Sequence, residues 1–210
     1  MKLNNKIAVI TGGGSGIGEA ISKAYAKEGA TVIIADRDAS AASKVSNEIG
    51  GATSSIEVDI SRRSKVMAAA EQVISNYGRV DILVNNAGSR IIKGFMQHTE
   101  EDWDQMLAIN LSGPFHCSQA FIPSMVKNGG GSIINLCSIA SYIGRPNRCG
   151  YVAAKSGLIG LTRTMAIDLS IKKIRVNAIS PGMIASPFNQ SFAESEATGD
   201  TWATENLVGR

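Results

Sequence analysis

The stretch KIAVITGGGSGIG, Lys6 to Gly18, decides how the chain is read. Its apolar, β-branched opening is the pattern of a strand buried on both faces. Five glycines then fall between positions 12 and 18, and helical spacing begins at once with Ile17, Ala20, Ile21, Ala24 and Tyr25. A strand, a glycine loop and a helix N-terminus in that order offer backbone N–H groups, the positive end of a dipole and room for close approach. An anionic pyrophosphate is the ligand that such a turn suits. Gly18 is followed by Glu19 rather than Lys-Ser or Lys-Thr, which disfavours a phosphoryl-transfer loop. A flexible glycine turn is the lesser reading of the loop taken alone.

Working outward, short β-branched runs alternate with longer helical patterns. Strands are predicted at Lys6–Thr11, Thr31–Ala35, Ser55–Val58, Asp81–Val84, Ser132–Leu136 and Ile174–Ile179. Helices are predicted at Gly16–Gly29, at Ala39–Ile49, from an N-cap at Ser61 to Tyr77, at Thr99–Val126 and at Gly150–Leu169. The alternation implies an α/β fold: one doubly wound domain over residues 1–210, with six parallel strands covered on both faces. From Pro181 onward the chain turns polar without a clear strand, and residues 183–210 are expected to be irregular and mobile.

Composition narrows the function. Of 210 residues 44% are hydrophobic, enough for a substantial core. The net charge of +3 is scattered, so no basic stripe points to nucleic acid. The longest apolar run is Val66 to Ala70, far short of a bilayer span of about 20 residues, and the amino terminus has no apolar signal-like region. A cytoplasmic protein without a membrane partner is expected. The three cysteines, Cys117, Cys137 and Cys149, lack CxxC spacing, so neither a metal site nor a disulfide framework is expected.

Asp36 ends the second strand, 18 residues after Gly18. That is close to the roughly 20-residue spacing of an acid that binds adenosine ribose hydroxyls. Its charge lies where a 2′-phosphate would sit, which favours NAD over NADP. Arg37, next in the chain, is able to contact such a phosphate and keeps NADP open.

These residues resemble the short-chain dehydrogenase/reductase family over nearly the whole chain. Thr11-Gly12-x3-Gly16-x-Gly18 is similar to the family's cofactor loop, Asp59 to its adenine-contacting acid and Asn85-Asn86-Ala87-Gly88 to its motif after the fourth strand. Asn110, Ser138 and Tyr151-x3-Lys155 match its catalytic set, and Pro181-Gly182 its turn after the sixth strand. The resemblance implies a Rossmann-like sheet and an oxidoreductase that moves a hydride between NAD(H) and a small secondary alcohol or ketone. Its cofactor site would comprise Gly12, Ser15, Gly16, Ile17, Gly18, Asp36, Arg37, Asp59, Ile60, Asn86, Ala87, Gly88, Tyr151, Lys155, Pro181, Gly182, Ile184 and Ser186.

Tyr151 and Lys155 are four residues apart, hence on one helix face. A phenol with a pKa near 10 is a poor base at neutral pH, and a nearby ammonium favours its phenolate. That is the chemistry for taking a proton from an alcohol or returning one to a ketone. Ser138 would hold the substrate oxygen, with Ser141 as an alternative donor. By resemblance Asn110 would hold a relay water beside Lys155, though a buried amide bonded to backbone reads as well, and Asp59 reads equally as a turn residue.

The chain departs from the family at Cys137, where a serine is common, and at Ser186, where a threonine is common. By resemblance Ser141, Tyr142, Ile143, Arg145, Cys149 and Met183 onward would border the substrate. Two further readings stay open: an NADP-dependent 3-oxoacyl thioester reductase, and a dinucleotide-sensing protein without turnover. The family's habit of assembling as homodimers or homotetramers would use Phe115, Ala120, Leu158, Leu161 and Met165, although the chain's own core explains some of them equally well. The stretch Asn206–Arg210 resembles one that leads into a further helix and a seventh strand in relatives, so the chain is expected to stop short of both.

Overall fold

The apolar runs form six strands: β1 (Ile7–Thr11), β2 (Thr31–Asp36), β3 (Thr53–Glu57), β4 (Ile82–Asn85), β5 (Gly131–Leu136) and β6 (Ile174–Ile179). Between them run α1 (Gly16–Lys27), α2 (Ala39–Ile49), α3 (Arg63–Tyr77), α4 (Glu100–Leu107), α5 (Gly113–Lys127) and α6 (Cys149–Ser170). The structure is a computed structural model and describes residues 1–189. Most of the polar region expected at 183–210 therefore lies outside the described residues.

All neighbouring strands are parallel, in the order β3-β2-β1-β4-β5-β6. The chain builds outward from β1 to β3, returns to the other side of β1 and builds outward again to β6. Winding therefore reverses between β1 and β4, and the connections leaving those two strands diverge. A crevice opens there, at the carboxyl ends of the strands.

Register sorts the side chains into two cores. Val9 pairs with Ile33 and Leu83, and these three share one face with Val66, Val73 and Phe121 from α3 and α5. Ala8 and Ile10 share the other with Val32, Ile34 and Val84, covered by Ala42 and Val45 of α2. Each such buried aliphatic contributes about 1.5–3 kcal/mol relative to an exposed one, so a slip of one residue would be severely destabilising.

Three expectations are corrected. Ser61 does not cap α3: its N–H and hydroxyl donate to Asp59 Oδ1 at 3.0 and 2.6 Å, and the helix begins after Arg62. The long helix expected at Thr99–Val126 is divided. Thr99 caps α4 reciprocally with Asp102, and a π turn at Ala108–Ser112 separates α4 from α5. Helical periodicity cannot register one inserted residue, which is what a π turn is. Finally, Ala120, Leu158 and Met165 lie in the chain's own core and Leu161 packs against it; of the five proposed interface residues Phe115 is the exposed one, at 39%. Among the described residues no helix is long and apolar enough to cross a membrane.

Candidate active site

The crevice is built first from backbone. Gly12 turns the chain out of β1 with φ +64° and donates its N–H to Ala35 O at 2.7 Å. A Cβ on Gly12 would stand 2.8 Å from Ala87 Cα, and one on Gly18 would stand 2.1 Å from Gly12 O. The loops after β1 and β4 thus touch where no side chain fits. Asn86 stitches them: its Nδ2 donates to Thr11 O and Gly12 O at 3.0 Å each. The Thr11 hydroxyl accepts from the N–H groups of Asn86 and Ala87 at 3.1 Å each. Ser15 opens α1 without a side-chain cap, and Gly16 and Ile17 of its first turn face the cleft.

The cleft measures about 570 Å³. Every residue assigned to the site from the sequence lines it except Gly18 and Asn110. Gly18 packs α1 onto the loop. Asn110 is buried in the π turn, where its Nδ2 donates to Ser89 O at 2.9 Å and Met106 O at 3.1 Å, and its Oδ1 accepts from Ser89 N at 3.2 Å. The structure thus gives Asn110 the backbone-clamping arrangement that was the alternative to a water relay.

One end of the cleft carries Asp36, Arg37 and Asp59. Asp36 Oδ2 accepts from Gly14 N at 3.0 Å and Oδ1 from Asp38 N at 3.1 Å, which fixes the carboxylate beside the glycine loop. The Ser61 hydrogen bond, with the Arg62 and Arg37 charges behind it, holds the Asp59 carboxyl below its usual range. Asp59 is therefore both a turn residue and a cleft residue.

Tyr151 and Lys155 occupy the first turns of α6 and are 9% and 4% exposed. Lys155 Nζ donates to Leu136 O at 2.7 Å, and burial brings its pKa down to about 8. Burial raises the Tyr151 pKa, opposed by a hydrogen bond with Ser138 and by the charges of Arg90 and Arg148. Lys155 Nζ lies over the Tyr151 ring, 5.9 Å from its centroid, and Arg90 and Arg148 add their charges beside the phenol.

Ser138 is held by its own turn: its hydroxyl accepts from Ala140 N at 3.1 Å, and its N–H donates to Ser141 Oγ at 3.3 Å. Ser141 thereby supports the Ser138 turn, and it does not line the cleft. Burial pushes the Cys137 thiol up to about 11, so it is inert at neutral pH.

On the far wall, Ser186 faces the glycine loop, 3.6 Å from where a Cβ on Gly16 would be. Arg145 and Met183 line the cleft as expected; Ser141, Tyr142, Ile143 and Cys149 do not. Among the charged lining residues, Arg90 and Arg148 escaped the sequence reading. Arg148 had a usable signal, standing three residues before Tyr151, which is one helical turn. Arg90 had only its place two residues after Gly88.

These features fit a dinucleotide. A side-chain-free cradle lies at a helix N-terminus, a carboxylate lies at one end for ribose hydroxyls, and a buried phenol and ammonium lie at the other. Among the described residues no cluster suits a metal ion.

The family model for short chain dehydrogenases matches residues 6–197. A cyclohexanol dehydrogenase from an Acinetobacter species is 38% identical over 202 residues, 93% of this chain and 79% of the relative. The crystal structure of a 3-ketoacyl-(acyl-carrier-protein) reductase from Brucella melitensis, complexed with NADH, superimposes with a TM-score of 0.93 at 36% identity, covering 99% of this chain and 85% of that one. A gluconate 5-dehydrogenase from Burkholderia cenocepacia, in complex with NADP and tartrate, superimposes with a TM-score of 0.95 at 31% identity, covering 100% and 83%. The chain belongs to the short-chain dehydrogenase family. It is an oxidoreductase of CH–OH or C=O groups, in a family that uses NAD(P).

Proposed function

We propose that the protein interconverts a secondary alcohol and a ketone with NAD(H), using Tyr151 as the general acid–base. What supports this is the placement of Tyr151 and Ser138 on one cleft wall, beside the buried Lys155 and continuous with the glycine loop. In the oxidative direction the substrate hydroxyl replaces the Ser138–Tyr151 contact and bonds to both. The phenolate takes its proton as the C–H bond breaks and the C–O bond becomes a carbonyl; reduction runs the same path backward. The bound nicotinamide supplies the hydride acceptor or donor and, when oxidised, a positive charge that favours the phenolate. Lys155 would hold the nicotinamide ribose, Ser138 the substrate oxygen. Asn110 positions the Gly88–Arg90 backbone through Ser89.

NAD is favoured over NADP by Asp36. Asp36→Ala is expected to relax discrimination against NADP by about tenfold or more, because a like-charge repulsion is removed. Comparing kcat/KM with the two cofactors checks it; a parent that already prefers NADP would hand control to Arg37. The alternative, an NADP-dependent reductase of 3-oxoacyl thioesters, has the Brucella relative's name behind it, and the same assay with an acetoacetyl thioester decides between them. A sensing protein without turnover is disfavoured because both Tyr151 and Lys155 are present and buried in the cleft. Free thiols at Cys117, Cys137 and Cys149 suit a reducing, cytoplasmic setting. Phe115 and Trp103, exposed on α5 and α4, support association with further copies. A mass above that of one chain is expected by light scattering at micromolar concentration.

Lys155 also predicts a stability signature. Its pKa falls from 10.5 to about 8 on folding, so between those values the unfolded chain binds more protons. The Lys155 contribution to stability therefore grows with pH from about 8 toward 10, while the buried Cys117 and Cys137 thiols, pushed up to about 12 and about 11, take stability away above about pH 9. The urea midpoint of the parent minus that of Lys155→Met isolates the lysine, and this difference is expected to grow across that window.

A further inference from the structure

Two buried side-chain bonds hang α6 from β5. Lys155 Nζ donates to Leu136 O at 2.7 Å, and Asn135 Nδ2 donates to Thr162 Oγ1 at 2.8 Å. Adjacent residues of the strand thus hold residues seven apart on the helix, about two turns. Lys155 lines the cleft; Thr162 and Asn135 do not. They are 6% and 0% exposed, and Asn135 stands near the carboxyl end of β5, three residues before Ser138. We propose that Thr162 and Asn135 are positioning residues for the reaction: their bond sets the height of α6 along β5, and with it the placement of Tyr151 against Ser138. This rests on the reading of Tyr151 as the acid–base group.

Asn135 lies opposite Asn85 in the β4–β5 register, on the face that carries Leu83 and Ile133. Its Oδ1 accepts from Asn85 Nδ2 at 2.8 Å, and the same Nδ2 reaches Ser118 Oγ at 3.2 Å. Thr162 gives its own proton to Leu158 O at 2.7 Å, and Ser118 gives its own to Pro114 O at 2.7 Å. A buried polar chain therefore runs from the backbone of α5, across two strands, to the backbone of α6. It leaves Asn85 Oδ1 without a partner among the described residues, a cost that apolar packing would avoid. Apolar groups of similar shape are often as stable in such a place. What they lack is direction. Burial changes slowly as a helix slides over a sheet, whereas a hydrogen bond weakens steeply once its length or angle is wrong.

The position of the bond gives it leverage on the chemistry. Thr162 and Tyr151 belong to one 22-residue helix, so a slide at one is carried to the other. Ser138 follows β5 directly and would not move with it. A misplacement of about 1 Å between reacting groups costs about 10²-fold in rate. The glycine loop and Asp36 belong to β1 and β2, so cofactor binding would change little.

Thr162→Val removes the hydroxyl and keeps the branched shape. Its kcat is expected to fall by about tenfold or more, with the alcohol KM and the NADH Kd within about twofold of the parent's. Thr162→Ser keeps the hydroxyl and should return most of the rate. Thr162→Val with Asn135→Leu removes both partners, strands no donor between them, and should show the same low kcat; it serves should Thr162→Val fail to fold. The last arm places Thr162→Val in Tyr151→Phe. A residue that acts through the phenol costs little once the phenol is gone, so the two losses should not add, whereas a general weakening of the fold would repeat in both backgrounds. A parent-like kcat in the Thr162 variants, no return in Thr162→Ser, an equal loss of NADH binding, or a loss that repeats in full in Tyr151→Phe overturns the proposal and leaves the acid–base reading standing. A parent-like rate in Tyr151→Phe itself overturns that reading, and this proposal with it.

Discussion

Tyr151→Phe is expected to lower turnover by about 10²–10⁴-fold, the usual contribution of a positioned acid–base group, while NAD(H) binding stays nearly unchanged. The substitution removes one oxygen from a ring that is 9% exposed, so packing is preserved. What is lost is the hydroxyl that meets Ser138 and feels Arg90 and Arg148. Without it the substrate proton has no acceptor of matched basicity in the cleft: Lys155 is committed to Leu136 O and the Cys137 thiol is pushed up to about 11. Steady-state rates beside a fluorescence titration of NADH separate the two effects. Parent-like turnover would refute the assignment. Equal loss of rate and of cofactor binding would make Tyr151 a structural residue instead.

The winding of the sheet and the glycine loop were legible because both are carried by local patterns. Apolar runs at β1, β2 and β4 lie buried on both faces and read as continuous, and the loop after β1 reads from glycines that no side chain can replace. Tyr151 and Lys155 were legible through a spacing of one helical turn. The arginines around Tyr151 were not, because Arg90 reaches the phenol only through the fold: it lies 61 positions earlier in the chain, and the β4 connection brings it over Phe188. The π turn was hidden for a different reason. Its apolar residues keep an acceptable helical pattern on either side of the insertion, and only the clamp from Asn110 to Ser89 reveals that the register has shifted. Proximity also misled: Ala120, Leu158 and Met165 are apolar on long helices, which fits an interface and a core alike, and the core has them.

The same geometry makes Gly18→Ala the second large effect. The new Cβ would stand 2.1 Å from Gly12 O and 2.5 Å from Asn86 Nδ2, contacts that no rotamer relieves because the first partner is backbone. Either α1 retreats from the sheet or the Gly12 turn opens, and each movement breaks the Asn86 bonds that join the loops after β1 and β4. Overpacking of this kind costs about 1–3 kcal/mol, and in a domain of this size that lowers Tm by several degrees. Cofactor affinity should suffer more than stability, since the displaced atoms form the cradle itself; a loss of about tenfold or more is expected where a ligand needs close backbone approach. Gly160→Ala is the control. It is exposed on α6, away from the cleft, and a Cβ there meets nothing within 4 Å, so stability and NADH binding should both stay near the parent's. If Gly18→Ala bound NADH as well as Gly160→Ala does, the glycine would be needed only for packing α1, and the pyrophosphate would have to lie elsewhere in the cleft.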